Sequence, residues 1–371
     1  MKWFFLGLSL FSFFSAQALE LEYLSQVTLP HRLKFKKTQI GGLSGLTYDS
    51  NSGLLSAISD DRGLVNEPRI YEFKISIKAH DLKVEPEKVI FLSVNEGSLA
   101  HQSTKSKVQV FSKVLDLEGI SRTPWGDFLL VNEGDVNHKP RVNPQILDVK
   151  SDGTVLREFT VPDKFLPEKS GRQKKGIQNN LAFEGIAEGP DGKSWLVSTE
   201  APLVQDLNKQ FVRLIQYEML EAWVLKPAKE FLYPLASSAL DDKAFLQFQK
   251  GISDILSVDT HRFLTMERAL SVTGAGLQFQ IEIYEADLAP ASDVSAIEAL
   301  PVSLPEKLKP LGKKLLFSLD SLKKSLGGIE NFEGMTWGPR LSDGRRTLIL
   351  VSDDNFMRNL RTQFLLFAVK E

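Results

Sequence analysis

An all-β fold of five repeated units is predicted by three observations. Short apolar strands come in pairs around turns rich in Asp, Gly and Asn, and such pairs recur along the chain. A Glu-Gly dipeptide stands at the same place in three of them, in DLEGISRTP from Asp116, AFEGIAEGP from Ala182 and NFEGMTWGP from Asn331. Strand–turn–strand with alternating apolar residues is the pattern of a β-hairpin.

Five hairpins share one grammar: Gly41–Gly63, Asp116–Asp135, Ala182–Pro202, Lys250–Ala269 and Asn331–Phe356. Their second strands end in SDD, NEG, STE, MER and SDD, so acidic or polar residues follow each apolar run. The equivalent first-strand positions are Ser44, Glu118, Glu184, Ser253 and Glu333, spaced by 74, 66, 69 and 80 residues. More strand-like sequence follows the first four hairpins: RIYEFKISI, PQILDVKSDGTVLREF, FVRLIQYEML and LQFQIEIYEADL. Four strands per repeat is the composition of a propeller blade. The spacing exceeds the usual ~40–45 residues per blade, which places insertions at 163–180, 237–250 and 287–310. The segment FSLDSLKKSLGG reads as a short helix ended by glycine.

After the fifth hairpin only TQFLLFAVK remains, enough for one strand, and LEYLSQVTL near the N-terminus supplies the missing fourth. Closing the ring with strands from both ends leaves no edge exposed. Five repeats predict five blades; six would require the insertions to form a degenerate blade.

Composition bounds the rest. The chain has 371 residues, no Cys and a formal net charge of -2. That balance favours neither nucleic acid nor an anionic membrane. The absence of Cys excludes disulfides, thiolate metal sites and a thiol nucleophile. MKWFFLGLSLFSFFSAQALE has the charged start, short apolar run and small-x-small ending of a secretory signal, with cleavage expected after Ala18. The apolar run is shorter than the ~20 residues of a membrane span. The expectation is a periplasmic or secreted monomer, one propeller over 19–371, with no membrane anchor.

In a propeller the first strand of each blade lines the central channel. Glu118, Glu184 and Glu333 are thereby expected near the axis, with the following Gly admitting the neighbouring blade. Asp60, Glu133, Glu200, Glu267 and Asp353, at the second-strand ends, are expected close by. Carboxylates gathered within ~4–6 Å disfavour one another's ionisation unless cations join them. Those cations are a metal, for which oxygen donors at varied spacing suit Ca²⁺, or Arg62 and Arg268.

The set IGGLSGLTYD…AISDDRG, DLEGI…VNEG, NLAFEGIA…STE and NFEGMTWG…LVSDDNF resembles the bacterial phytase-like family described as having esterase-like activity. The resemblance runs from about Ile40 to Phe356 and implies a β-propeller that hydrolyses phosphoesters or esters. The fourth repeat departs from it, with Ser253-Asp254 in place of Glu-Gly.

Phosphoester hydrolysis requires that carboxylates hold metal ions and that cations meet the phosphate. Candidate metal ligands are Asp60, Asp61, Glu118, Glu184, Glu200, Glu333, Asp353 and Asp354. Candidate phosphate contacts are Arg62, Arg268 and the loop KSGRQKKG with Arg172, Lys174 and Lys175. In a calcium-dependent lactonase or esterase, Glu118, Glu184 and Glu333 serve equally well as catalytic carboxylates. A third reading is a non-catalytic propeller binding a ligand or partner at its mouth. The expected substrate is a small ester or phosphoester. GGLSGL misses the nucleophile-elbow pattern because Leu46 stands where the second Gly is required. There is no H-E-x-x-H, P-loop or dinucleotide fingerprint, and of the five His only His138 follows a strand end of the ring.

Overall fold

The computed structural model describes residues 19–94, 115–220, 223–237, 246–247, 250–274 and 276–370. The expected secretory segment and most of the insertion at 237–250 lie outside them. No helix among the described residues is long and apolar enough to cross a membrane.

Five blades, each built on four antiparallel strands, form a β-propeller, and the first four run outward from the axis in chain order. Blade I comprises Leu43–Asp49, Leu54–Ser59, Arg69–Lys78 and Asp81–Phe91. Blade II comprises Leu117–Arg122, Phe128–Asn132, Gln145–Val149 and Thr154–Phe159. Blade III comprises Phe183–Glu188, Ser194–Thr199, Phe211–Leu220 and Val224–Pro234. Blade IV comprises Gly251–Ser257, Arg262–Thr273, Gly276–Asp287 and Gly312–Ser318. Blade V takes Asn331–Gly338, Thr347–Asp353 and Gln363–Lys370 from the C-terminal end. Its outer strand, Glu20–Thr28, comes from the other end and pairs antiparallel with the last, from Glu20↔Lys370 to Thr28↔Gln363. The ring is thus closed by hydrogen bonds between the two ends of the chain, as expected from the sequence.

Each of the five blade interfaces owns an apolar cluster. The middle strands are buried on both faces, which is why TLILV and QFLLFAV read as unbroken apolar runs. Successive side chains point to opposite faces. Phe364 and Leu366 therefore pack toward blade I while Leu365 and Phe367 pack toward blade IV. The insertions 163–180 and 287–310 lie on blade III, joined by a buried ionic group: Arg213 binds Asp206 at 2.8 Å and Glu230 at 3.2 Å, and Lys164 also reaches Glu230 at 3.2 Å. The expected short helix is two turns, Leu319–Leu322 and Lys323–Leu326, ended by Gly327 at φ 72°.

The glycines of the repeat sit where neighbouring inner strands meet. A Cβ on Gly45 would stand 2.7 Å from the Glu118 carbonyl oxygen, and one on Gly119 would stand 2.3 Å from that of Glu184. One on Gly185 would stand 2.6 Å from the Ile255 nitrogen, and one on Gly334 would stand 3.0 Å from the Ser44 carbonyl oxygen. Blade IV has Asp254 instead, and its carboxylate accepts hydrogen bonds from Met335 N of blade V at 2.7 Å and from Ile255 N at 2.8 Å.

Gly119→Ala should therefore cost roughly 1–3 kcal/mol or more, as overpacking does, whereas Gly312→Ala, with open space around it and an ordinary φ, should be near neutral. Urea denaturation of the two variants measures the difference; equal midpoints would refute the close-approach role of Gly119.

Candidate active site

In every blade the first strand carries a β-bulge where it meets the axis. The register slips between Leu43 and Gly45, between Leu117 and Gly119, between Phe183 and Ile186, between Ile252 and Asp254, and between Phe332 and Gly334. The extra residue is Ser44, Glu118, Ser253 or Glu333, and in blade III it falls within Glu184-Gly185. A bulge leaves one residue unpaired and re-aims its side chain. Here it supplies the buried carboxylates Glu118, Glu184 and Glu333. The two serines instead bond backbone, Ser44 Oγ donating to Leu117 O at 2.9 Å and Ser253 Oγ to Met266 O at 3.3 Å.

A second layer comes from the ends of the second strands. Leu43, Leu117, Phe183 and Phe332 pair with Ser59, Asn132, Thr199 and Ser352, so the next residues are Asp60, Glu133, Glu200 and Asp353. In blade IV the partner of Ile252 is Glu267, and the equivalent next residue is Arg268. This corrects the expectation for Glu267, which faces the junction with blade III. It accepts from Tyr233 Oη at 2.6 Å and Ala236 N at 3.1 Å and pairs with Lys313. The second layer is therefore four carboxylates and one guanidinium. Arg268 spans the channel, binding Glu200 and Glu333 at 2.8 Å each and Asn331 at 2.9 Å.

Two groups of three carboxylates result, Asp60 with Asp116 and Glu118, and Glu133 with Glu184 and Glu200, each with donor atoms within 4.8 Å of one another. Arg62 covers the first group from one side, binding Asp116 Oδ1 through Nε at 2.8 Å and touching Asn180 through Nη2. Burial first, and then neighbouring carboxylates, push Asp60, Glu118, Glu133, Glu184 and Asp353 well above the ordinary carboxylate range. Burial also raises Glu333, against the opposing pull of Arg268. Burial alone would lower Arg268, but Glu333, Glu200 and Glu184 outweigh it and hold the guanidinium charged.

The donor set suits a hard cation, and three buried oxygens lack any hydrogen-bond partner: Asp60 Oδ1 in the first group, Glu133 Oε2 and Glu200 Oε2 in the second. Orphaned acceptors beside like charges are costly, and a bound cation would satisfy both demands. Above the carboxylates opens a cavity of about 660 Å³, whose lining includes Asp60, Glu118, Glu184, Glu333, Arg62 and Arg268.

The remaining sequence candidates are placed elsewhere or otherwise engaged. Asp61 lines the cavity but is engaged, pairing with buried Arg69 and accepting from Gly63 N and Asn66 N, so it holds its own loop. Asp354 accepts from Gly42 N at 2.9 Å and Phe356 N at 3.1 Å. Asp353 lines the cavity and accepts from Asn355 N. Arg172 and Lys174 are exposed, Lys175 pairs with Asp163, and none of the three lines the cavity. The Nδ1 of His138 lies 2.7 Å from Pro140 O, also away from the cavity. Asp116, which joins the first carboxylate group, is absent from the candidates read from the sequence. Its signal was the acidic residue two places before Glu118, where other blades have Gly42, Ala182, Gly251 and Asn331.

No curated protein matches the sequence. Among solved structures, the endo-arabinase of Bacteroides thetaiotaomicron VPI-5482 is 10% identical over 90% of this chain and 95% of its own, with a TM-score of 0.42. A B. subtilis levansucrase is 10% identical over 95% of this chain and 86% of its own, with a TM-score of 0.41. Nothing of their chemistry transfers at that distance. The family model described as phytase-like, esterase-like activity of phytase, matches residues 38–356, from just before the first hairpin to the end of the fifth. On that match, the chain belongs to the phytase-like family.

Proposed function

We propose that the protein is a calcium-dependent hydrolase acting on a carboxylic ester or lactone at the propeller axis. The observation that carries this reading is the pair of three-carboxylate groups with orphaned buried oxygens beneath an open cavity. Asp60, Asp116 and Glu118 would hold one cation, and Glu133, Glu200 and one oxygen of Glu184 would hold another, leaving the second Glu184 oxygen for proton transfer. Calcium, when bound, supplies polarisation of the substrate oxygen and neutralises the carboxylates. Export, read from the first 18 residues, would bring the site to compartments where weak calcium affinity suffices.

Within the chain, Asp60, Glu118 and Glu184 belong both to a carboxylate group and to the cavity lining. Glu184 is assigned as the base that takes the proton of the attacking water, with Glu118 orienting that water. Arg268 fixes the carboxylates of Glu200 and Glu333 beside them. A phosphate-rich substrate is disfavoured. Among the described residues, the guanidiniums that line the cavity are Arg62 and Arg268, each already paired with carboxylates, and the basic loop around Arg172 lies away from it. The binding-only reading draws on the same two arginines, which tie blade I to II and blade IV to III and V.

Glu184→Gln should lower calcium-dependent hydrolysis of p-nitrophenyl esters by about 10²–10⁴-fold, the usual contribution of a general base, while the variant stays folded by circular dichroism. Full activity in this variant would remove the assigned role. Calcium binding without turnover of ester, lactone or phytate would favour the binding-only propeller.

Stability should depend on pH in a direction set by the raised carboxyls. A carboxyl whose pKa is higher folded than unfolded binds its proton more tightly when folded. Its stabilisation is complete below about pH 4 and is lost as pH rises through the raised value. In chelator, the melting temperature should therefore fall between pH 5 and pH 8. Calcium should restore it, more at pH 8 than at pH 5, by a few °C at about 100 times Kd. A melting temperature indifferent to both pH and calcium would contradict the charge assignment.

A further inference from the structure

The second strand of blade IV continues where its counterparts stop. It runs to Thr273, past Arg268, and the third strand returns from Gly276. Pairing sets Arg268 opposite Ile281, Leu270 opposite Phe279 and Val272 opposite Leu277. Alternate residues of a strand and their direct cross-strand partners share one face. An apolar ladder thus climbs from Arg268 out of the ring, and Leu270, Leu277 and Phe279 line the same cavity as Glu118 and Glu184. Phe356 and Met357, from the loop after Asp353, add to it, and Leu64 of blade I stands at the mouth, 84% exposed. An apolar wall opening on water, continuous with a site of convergent polar groups, is the usual build of a small-molecule pocket.

We propose that this wall binds the acyl chain of the substrate, so that the protein selects esters or lactones with a hydrophobic acyl group of several carbons and presents the carbonyl to the carboxylates below. The proposal deepens the hydrolase reading and rests on it for the reacting group, but the wall can be tested without turnover.

Calorimetric titration of the calcium-loaded protein with N-methyloctanamide and N-methylacetamide, unreactive amide counterparts of such esters, reads the wall directly. Each buried methylene is worth about fourfold in affinity, so the octanamide should bind at least tenfold more tightly. Leu277→Asp should cut that ratio below about threefold, and Leu64→Asp, at an exposed position, should reduce it without risk to folding. Equal binding of the two amides, or a ratio that neither variant changes, would overturn the proposal. Hydrolysis of p-nitrophenyl acetate and octanoate separates the two claims. Chain-dependent amide binding with no ester turnover keeps the acyl pocket and removes the hydrolase; ester turnover with no chain preference does the reverse.

Discussion

The close approach of five inner strands around one axis governs the rest of the molecule. Closing the ring brings the backbone of one blade against the next, so four of the five junctions use Gly45, Gly119, Gly185 and Gly334. The same residues sit at β-bulges, and each bulge frees its neighbour from the ladder. Glycine for approach and glutamate for the channel are two consequences of one backbone feature. That is why the dipeptide, and not either residue alone, recurs.

Blade IV breaks the pattern in two linked ways. Asp254 replaces the glycine and bonds the backbone of blade V, so the junction there is made through a side chain. Arg268 replaces the strand-end carboxylate and draws Glu200 and Glu333 to itself. Five acids in this layer would repel without relief on every side. One guanidinium leaves the excess negative charge with blades I to III, where the two three-carboxylate groups lie. Asymmetry in a ring of similar repeats thus sets charge on one side of the cavity and the apolar ladder of blade IV on the other.

Much of the fold was legible because hairpin turns, two-sided apolar runs and unpaired terminal strands each leave a local mark. The axial placement of Glu118, Glu184 and Glu333 followed from that fold. The register did not. Glu267 still pairs with Ile252 inside the ladder, so Arg268, one residue on, holds the place that Asp60, Glu133, Glu200 and Asp353 hold in the other blades. Asp61 and Asp354 stand beside Asp60 and Asp353 in sequence, yet beyond the strand ends Asp61 pairs with Arg69 and Asp354 accepts from Gly42 N. The loop around Arg172 precedes a channel strand by few residues but packs elsewhere, because a long insertion separates nearness in sequence from nearness in space.

A divalent cation is proposed to hold the carboxylates of the axis together. Anomalous diffraction from crystals grown in calcium, compared with crystals grown in chelator, tests it most directly. Anomalous density is expected among Asp60, Asp116 and Glu118, or among Glu133, Glu184 and Glu200, and should be absent in chelator. Crystals without such density at millimolar calcium, with carboxyl oxygens paired through shared protons, would contradict it.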